Sequence, residues 1–99
     1  MLLGRVRGSV VSTRKDPKLE GLTLLVLETL QATGKPTNQF LVAIDSVGAG
    51  EGEVVLYASG SSARQTTVTQ NRPCDAVIMA IVDQWDLNGK TVYDKSVEG

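Results

Sequence analysis

The chain contains no histidine and only one cysteine among its 99 residues. The first absence removes the imidazole base of Ser/His and Cys/His dyads and every His-ligated metal site. The second removes an intrachain disulfide and a thiolate zinc cluster. Cys74 is followed by Asp75, whose negative charge works against a reactive thiolate, so Cys74 reads as a small buried hydrophobe. Aromatics are scarce: Phe40, Tyr57, Trp85 and Tyr93 are the only four. No sign of charge dominates, with 10 Lys and Arg against 11 Asp and Glu and a formal net charge of −1. No apolar run approaches the length of a bilayer span. The opening residues meet charge at Arg5 and build no apolar signal-peptide core, which points to the cytosol.

What is present is valine, thirteen in all, together with ten glycines. A Val-rich, Gly-rich, aromatic-poor chain leans towards β-structure. With 41% hydrophobic and 21% charged residues the composition is globular, and the length fits one domain over 1–99. No disulfide or metal staples so small a core, so good packing or oligomerisation must supply the stability.

Residues 2–13 carry Val6, Val10 and Val11 with Gly4 and Gly8 between them, which suits a strand that bends or lets another backbone approach closely. Residues 14–21 mix both charge signs around Pro17 and read as a solvated loop. Residues 22–30 are apolar on both faces, with Leu22, Leu24, Val26 and Leu30 on one side and Leu25 and Leu27 on the other. Such a strand is central, or covered by a second subunit. Turn chemistry over 33–38 and a short strand over 40–44 complete a hairpin. A further strand over 54–58 follows a glycine-rich stretch. Residues 71–86 stay open: Pro73, Asp75 and the Asn88-Gly89 pair support a helix, whereas Val77, Ile78, Ile81 and Val82 support a strand. The strand reading makes Asn88-Gly89 a hairpin turn into 91–93 and leaves 95–99 as a loose tail.

Three constellations invite a chemical reading. Gly48, Gly50 and Gly52 resemble a phosphate-cradling loop, but they lead into β-branched Val54 and Val55 instead of a helix, and Glu51 and Glu53 repel an anion. A turn is the better reading. Ser59, Gly60, Ser61, Ser62 and Arg64 form a small polar corner, where Ser61 can cap a helical turn and amides with Arg64 could hold an oxyanion. Without a positioned base Ser61 is no nucleophile, and the plainer reading is a tight corner at a subunit contact with Arg64 reaching a carboxylate or carbonyl across it. Asp83 with Asp86, and Glu51 with Glu53, are paired acids only by sequence proximity. No catalytic constellation and no cofactor or metal site emerges.

Taken together, residues 1–11 (MLLGRVRGSVV), 20–27 (EGLTLLVL), 45–64 (DSVGAGEGEVVLYASGSSAR) and 73–83 (PCDAVIMAIVD) resemble, in order and spacing, the EutN/CcmL family of bacterial microcompartment vertex proteins. The resemblance covers nearly the whole chain and is most specific over 47–64. It implies a mainly β protein: a five-stranded OB-like barrel with a short helical turn, assembling as a cyclic pentamer at the five-fold vertices of a protein shell. It also implies a brief turn and then a strand over 73–86. The partners it implies are further copies of the chain and hexameric shell proteins, with no nucleic acid and no membrane. The candidates for the subunit interface or axial pore are Gly48, Gly50, Gly52, Ser59, Gly60, Ser61, Ser62 and Arg64. Candidates for contact with the hexameric tiles are Arg14, Lys15, Lys18 and Arg72. The alternative is an OB-type barrel that binds single-stranded nucleic acid or oligosaccharide, which the net charge of −1 and the four aromatics disfavour.

Overall fold

The computed structural model describes residues 1–60 and 76–98. Seven strands run β1 (Leu2–Val10), β2 (Thr23–Leu30), β3 (Pro36–Asp45), β4 (Val54–Ser59), β5 (Ala76–Ile81), β6 (Gln84–Leu87) and β7 (Lys90–Asp94), and α1 (Lys95–Glu98) follows. A 3-10 turn, Pro17–Leu19, interrupts the β1–β2 loop. Five strands close a barrel in the order β1-β2-β3-β5-β4, and β6-β7 form a separate two-stranded sheet. All barrel pairings are antiparallel except β3–β5.

The barrel interior is filled by Val6, Leu25, Leu27, Ala43, Val55, Tyr57, Ala76 and Ile78. Alternation along each strand puts these residues inside, and full burial of a Leu27-sized side chain stabilises by about 1.5–3 kcal/mol. The register shift between Val6 and Gly8 bends β1 by leaving Arg7 as an extra residue. Gly4 has an internal reason to be glycine, since a Cβ there would sit 3.1 Å from the Tyr57 ring and 3.3 Å from the Glu28 carbonyl.

The run left open between helix and strand is a strand from Ala76, as its β-branched residues favour; Val77 and Ile78 are both fully buried. It does not continue to residue 86. Val82 and Asp83 break it, and the chain leaves the barrel as β6. The Asn88-Gly89 turn is present, with both residues at positive φ (54° and 78°), as a tight hairpin of matching twist demands. Trp85 and Tyr93 stack across this hairpin at 5.3 Å and pack with Val54, Val82, Leu3, Leu30 and Leu56. The hairpin thus covers the outer face of β1 and β4.

Three boundaries differ from the sequence expectation. β1 stops at Val10, because its partner β2 has already turned away through Gly21 (φ 76°). The turn lies at 31–35, closed by the Gly34 amide donating to Gln31 O, and β3 begins at Pro36. Asn38, counted with the turn, sits at φ 62° within β3, beside the register shift between Glu28 and Leu30. It serves as a bulge that lets the strand continue. Residues 95–98 form α1, not a loose tail. The Asp94 carboxylate accepts from the Ser96 amide and hydroxyl, and Lys95 donates its amide to Asp83 O and pairs its ammonium with Glu53.

Candidate functional site

The glycine stretch after β3 is a turn built around acceptors from its own chain. The Asp45 carboxylate, at the end of β3, accepts from the amides of Val47 (3.0 Å), Gly48 (3.1 Å) and Ala49 (3.0 Å). Glu53, at the start of β4, accepts from the Gly50 amide at 2.6 Å. The amide cradle that resembled a phosphate loop is therefore filled by carboxylates of the same chain. Gly48 and Gly52 take positive φ (78° and 87°), which only glycine adopts freely, so the turn itself requires them. Val6 pins the turn to β1 through two backbone hydrogen bonds, to Gly52 and Glu53.

Glu53 links that turn to the C-terminus. Its ion pair with Lys95, and then the Gly50 amide, hold its carboxyl below the ordinary value of 4.5. The same bond to Glu53 raises the Lys95 ammonium above its ordinary value. Arg5 completes the connection: its Nη1 donates to Gly52 O at 2.9 Å, and its guanidinium lies 5.6 Å from the centre of the Tyr93 ring. These polar groups join β1, the glycine turn, β7 and α1. Glu51 is exposed while Glu53 is bound to Lys95, so the two do not act as an acid pair. Asp86 is exposed on β6, and Asp83 borders an open depression with Gln84, Asp94, Lys95 and Ser96. Burial pushes the Tyr57 phenol, inside the barrel, above its ordinary value.

The second feature is the outer face of β1, β2 and β3. Register places Val10 beside Leu24, Gly8 beside Val26, Val26 beside Val42, and Glu28 beside Phe40. Paired residues project on one face of an antiparallel sheet, so these side chains form one surface. Phe40 is 55% exposed and Val42 50% exposed there, while Leu24 and Val26 are half-buried. Glu28 borders the patch and is only 7% exposed, because Arg7 Nε (2.8 Å) and the Asn38 amide (2.9 Å) both donate to it. The apolar character of β2 on both faces was legible in the sequence; the contribution of Phe40 and Val42 needed the β2–β3 register.

Of the sequence candidates, Gly48, Gly50 and Gly52 lie in the exposed turn. Ser59 ends β4, and Gly60 follows at φ 65°; both are exposed, and Ser59 borders a depression of about 300 Å³ with Met1, Leu2, Ala58 and Met79. Arg14, Lys15 and Lys18 are exposed on the β1–β2 loop. Ser61, Ser62, Arg64, Arg72 and Cys74 lie outside the described residues, as does the proposed pairing of Arg64 with a carboxylate. Sequence reasoning missed Asp45, although an Asp just before a glycine-rich turn is a local signal for accepting the amides that follow, and it missed Glu28, whose partners Arg7 and Asn38 only the folded chain brings near.

Comparison with known proteins places this architecture. Residues 1–83 match the family described as "Ethanolamine utilisation protein EutN/carboxysome". The carboxysome shell vertex protein CcmL of Gloeobacter violaceus is 43% identical over 95 residues, covering 96% of this chain and 95% of the relative. A solved structure of Gloeobacter violaceus CcmL superposes with a TM-score of 0.92, covering 97% of this chain and 99% of that one. The bacterial microcompartment shell vertex protein EutN of Salmonella typhimurium is 44% identical, covering 96% of each chain. The GrpN pentameric microcompartment shell protein of Rhodospirillum rubrum has a TM-score of 0.80 at 42% identity, covering 88% of this chain and 99% of that one. With a family match over most of its length and relatives this similar end to end, the chain belongs to the ethanolamine utilisation protein EutN/carboxysome family of shell vertex proteins.

Proposed function

We propose that this protein is a structural component of a bacterial microcompartment shell, forming homopentamers at the five-fold vertices. The observation that carries this reading is similarity along nearly the whole chain to shell vertex proteins of both carboxysomes and other microcompartments, with a pentameric relative of the same fold. It is not an enzyme: its relatives are shell proteins, and Asp45 and Glu53 serve the architecture of a turn and an ion pair. The same similarity favours the vertex role over a nucleic-acid- or oligosaccharide-binding barrel. The whole chain, 1–99, acts as one domain.

The work of such a protein is geometric. Flat hexameric tiles alone do not close a polyhedron, and a five-fold unit at each corner supplies the curvature. A contact repeated by rotation between unlike patches of identical subunits closes into a ring. The partners beyond the ring are hexameric shell proteins, and the exposed cations Arg14, Lys15 and Lys18, with Arg72, are candidates to meet them. The exposed Gly48, Gly50 and Gly52 turn and the Ser59 to Arg64 corner remain candidates for a ring contact or the axial opening. Native mass spectrometry of the purified protein tests the central point. A dominant five-copy species, followed by closure of shells when it is added to hexameric tiles, is the expected result; a monomer or dimer at micromolar concentration overturns it.

A further inference from the structure

We propose that Asn88 is a site of spontaneous covalent modification: the Gly89 amide displaces the side-chain nitrogen of Asn88, and the isoaspartate that results unseats the C-terminal hairpin from the barrel. The site is the two-residue connection between Leu87 and Lys90, which face each other in the β6–β7 register. Both turn residues are exposed, and no described atom stands within 4 Å of where a Gly89 Cβ would be. Among the described residues neither the Asn88 side chain nor the Gly89 amide has a hydrogen-bond partner. Only the Leu87–Lys90 pairing has to open for this tip to move, and such local opening at an exposed loop costs far less than unfolding.

The chemistry needs only water. The Gly89 nitrogen forms a bond to Asn88 Cγ, the bond from Cγ to the side-chain nitrogen breaks, and the proton lost from Gly89 leaves with that nitrogen as ammonia. A succinimide ring remains, and water opens it. Cleavage of the new bond at Cγ gives aspartate. Cleavage at the Asn88 main-chain carbonyl gives isoaspartate, in which the chain runs on through Cβ and Cγ. A residue with a side chain after the asparagine hinders ring closure, and glycine does not.

Asn38 shows what the turn adds. It too is exposed and at positive φ (62°, against 54° for Asn88), yet the amide that follows it belongs to Gln39 and donates to Thr37 Oγ1 at 3.2 Å. Its own amide is held by Glu28 at 2.9 Å. Asn38 is therefore the unreactive counterpart within the same molecule.

Isoaspartate lengthens the main chain of the turn by one carbon. A two-residue hairpin turn works because its fixed torsions match the twist of the strands, and the longer link no longer brings Leu87 opposite Lys90. Strands β6 and β7 have four and five residues and a register shift between Trp85 and Asp86, and an isolated two-stranded sheet is only marginally stable. The hairpin is seated by the Trp85–Tyr93 stack, by Trp85 Nε1 donating to Ala32 O at 2.8 Å, and by packing on Leu3, Leu30, Val54 and Leu56. Loss of the turn frees Trp85 from that seat. The five barrel strands pair without the hairpin, so the change stays local.

The test holds purified protein for days at mildly alkaline pH beside a synthetic peptide of residues 84–94 and the variant Asn88→Gly. Gly-Gly suits the same turn and has no side-chain amide to lose. Peptide mass spectrometry locates amide loss, and labelling by an isoaspartate methyltransferase separates isoaspartate from aspartate. The expected result is progressive conversion at Asn88 with Asn38 intact. Emission of the chain's one tryptophan shifts to the red in step with isoaspartate, and Asn88→Gly keeps its spectrum. An Asn88 still intact when the peptide has converted overturns the site, because the folded turn then shields it. Equal conversion of Asn38 overturns the role of the turn, and conversion with unchanged Trp85 emission overturns the unseating. The reaction needs no particular number of copies, so each of these outcomes is distinct from failure of the vertex reading.

Discussion

Replacing Asp45 by alanine removes the acceptor that organises the glycine turn. Its two carboxylate oxygens receive the amides of Val47, Gly48 and Ala49 at 3.0, 3.1 and 3.0 Å. Hydrogen bonds to a charged partner contribute about 1.5–3 kcal/mol each, but the exposed Val47 and Gly48 amides regain water when the carboxylate is gone. The half-buried Ala49 amide does so less well. The expected loss is therefore about 2–3 kcal/mol, close to one such bond in full plus a fraction of the others. For a domain of this size that corresponds to a Tm lower by roughly 10–20 °C. Thermal unfolding followed by circular dichroism at fixed protomer concentration reads it, since ring formation makes Tm concentration-dependent. Asp45→Asn keeps one acceptor oxygen, the one facing Val47 and Gly48, and should fall between wild type and alanine. A Tm drop of less than about 4 °C for Asp45→Ala would refute the claim that this carboxylate holds the turn.

Three further outcomes follow from the same geometry. Leu27→Ala, at a fully buried position in the barrel, should cost about 2–5 kcal/mol in urea unfolding, and a cost below about 1 kcal/mol would mean the interior re-closes around the cavity. Gly34→Ala introduces a Cβ at φ 88° and 3.0 Å from Val92 Cγ1, so it should destabilise by more than about 1 kcal/mol in the same assay; a neutral result would show that the hairpin is not seated on this turn. The Glu53 carboxyl is held below its ordinary 4.5, so its bond to Lys95 stabilises the fold above that pH and fades as pH falls through the lowered value. Lys95→Met should therefore be less stable than wild type at neutral pH and converge with it in acid, and a pH-independent difference would contradict the pairing.

The sequence by itself pointed to β-structure and to a hairpin of β2 with β3, and the family resemblance implied the five-stranded barrel. Strand β2 is apolar on both faces because Leu24, Val26, Leu25 and Leu27 occupy both parities of an extended chain. Asn88-Gly89 announced a turn or a helix end, and the structure makes it a hairpin turn with both residues at positive φ. The ordered motifs from residue 1 to 83 carried the family, and the missing histidine had already removed most catalysis from consideration. Local pattern could not choose between helix and strand over 76–81, because β-branched residues beside good helix-start signals satisfy both until a barrel position buries Val77 and Ile78.

Tertiary structure alone decided how groups distant in sequence share a space. It made Asn38 a bulge instead of a turn, since only pairing with β2 reveals an extra residue. It brought Lys95 to Glu53 and so gave the C-terminal residues a place on the barrel. It set Gly8, Val26, Val42 and Phe40 side by side. Side-chain period and backbone torsion are properties of a few neighbouring residues, so a sequence displays them directly. Register between strands depends on the closure of the whole barrel, and the apolar outer face exists only once that closure is made.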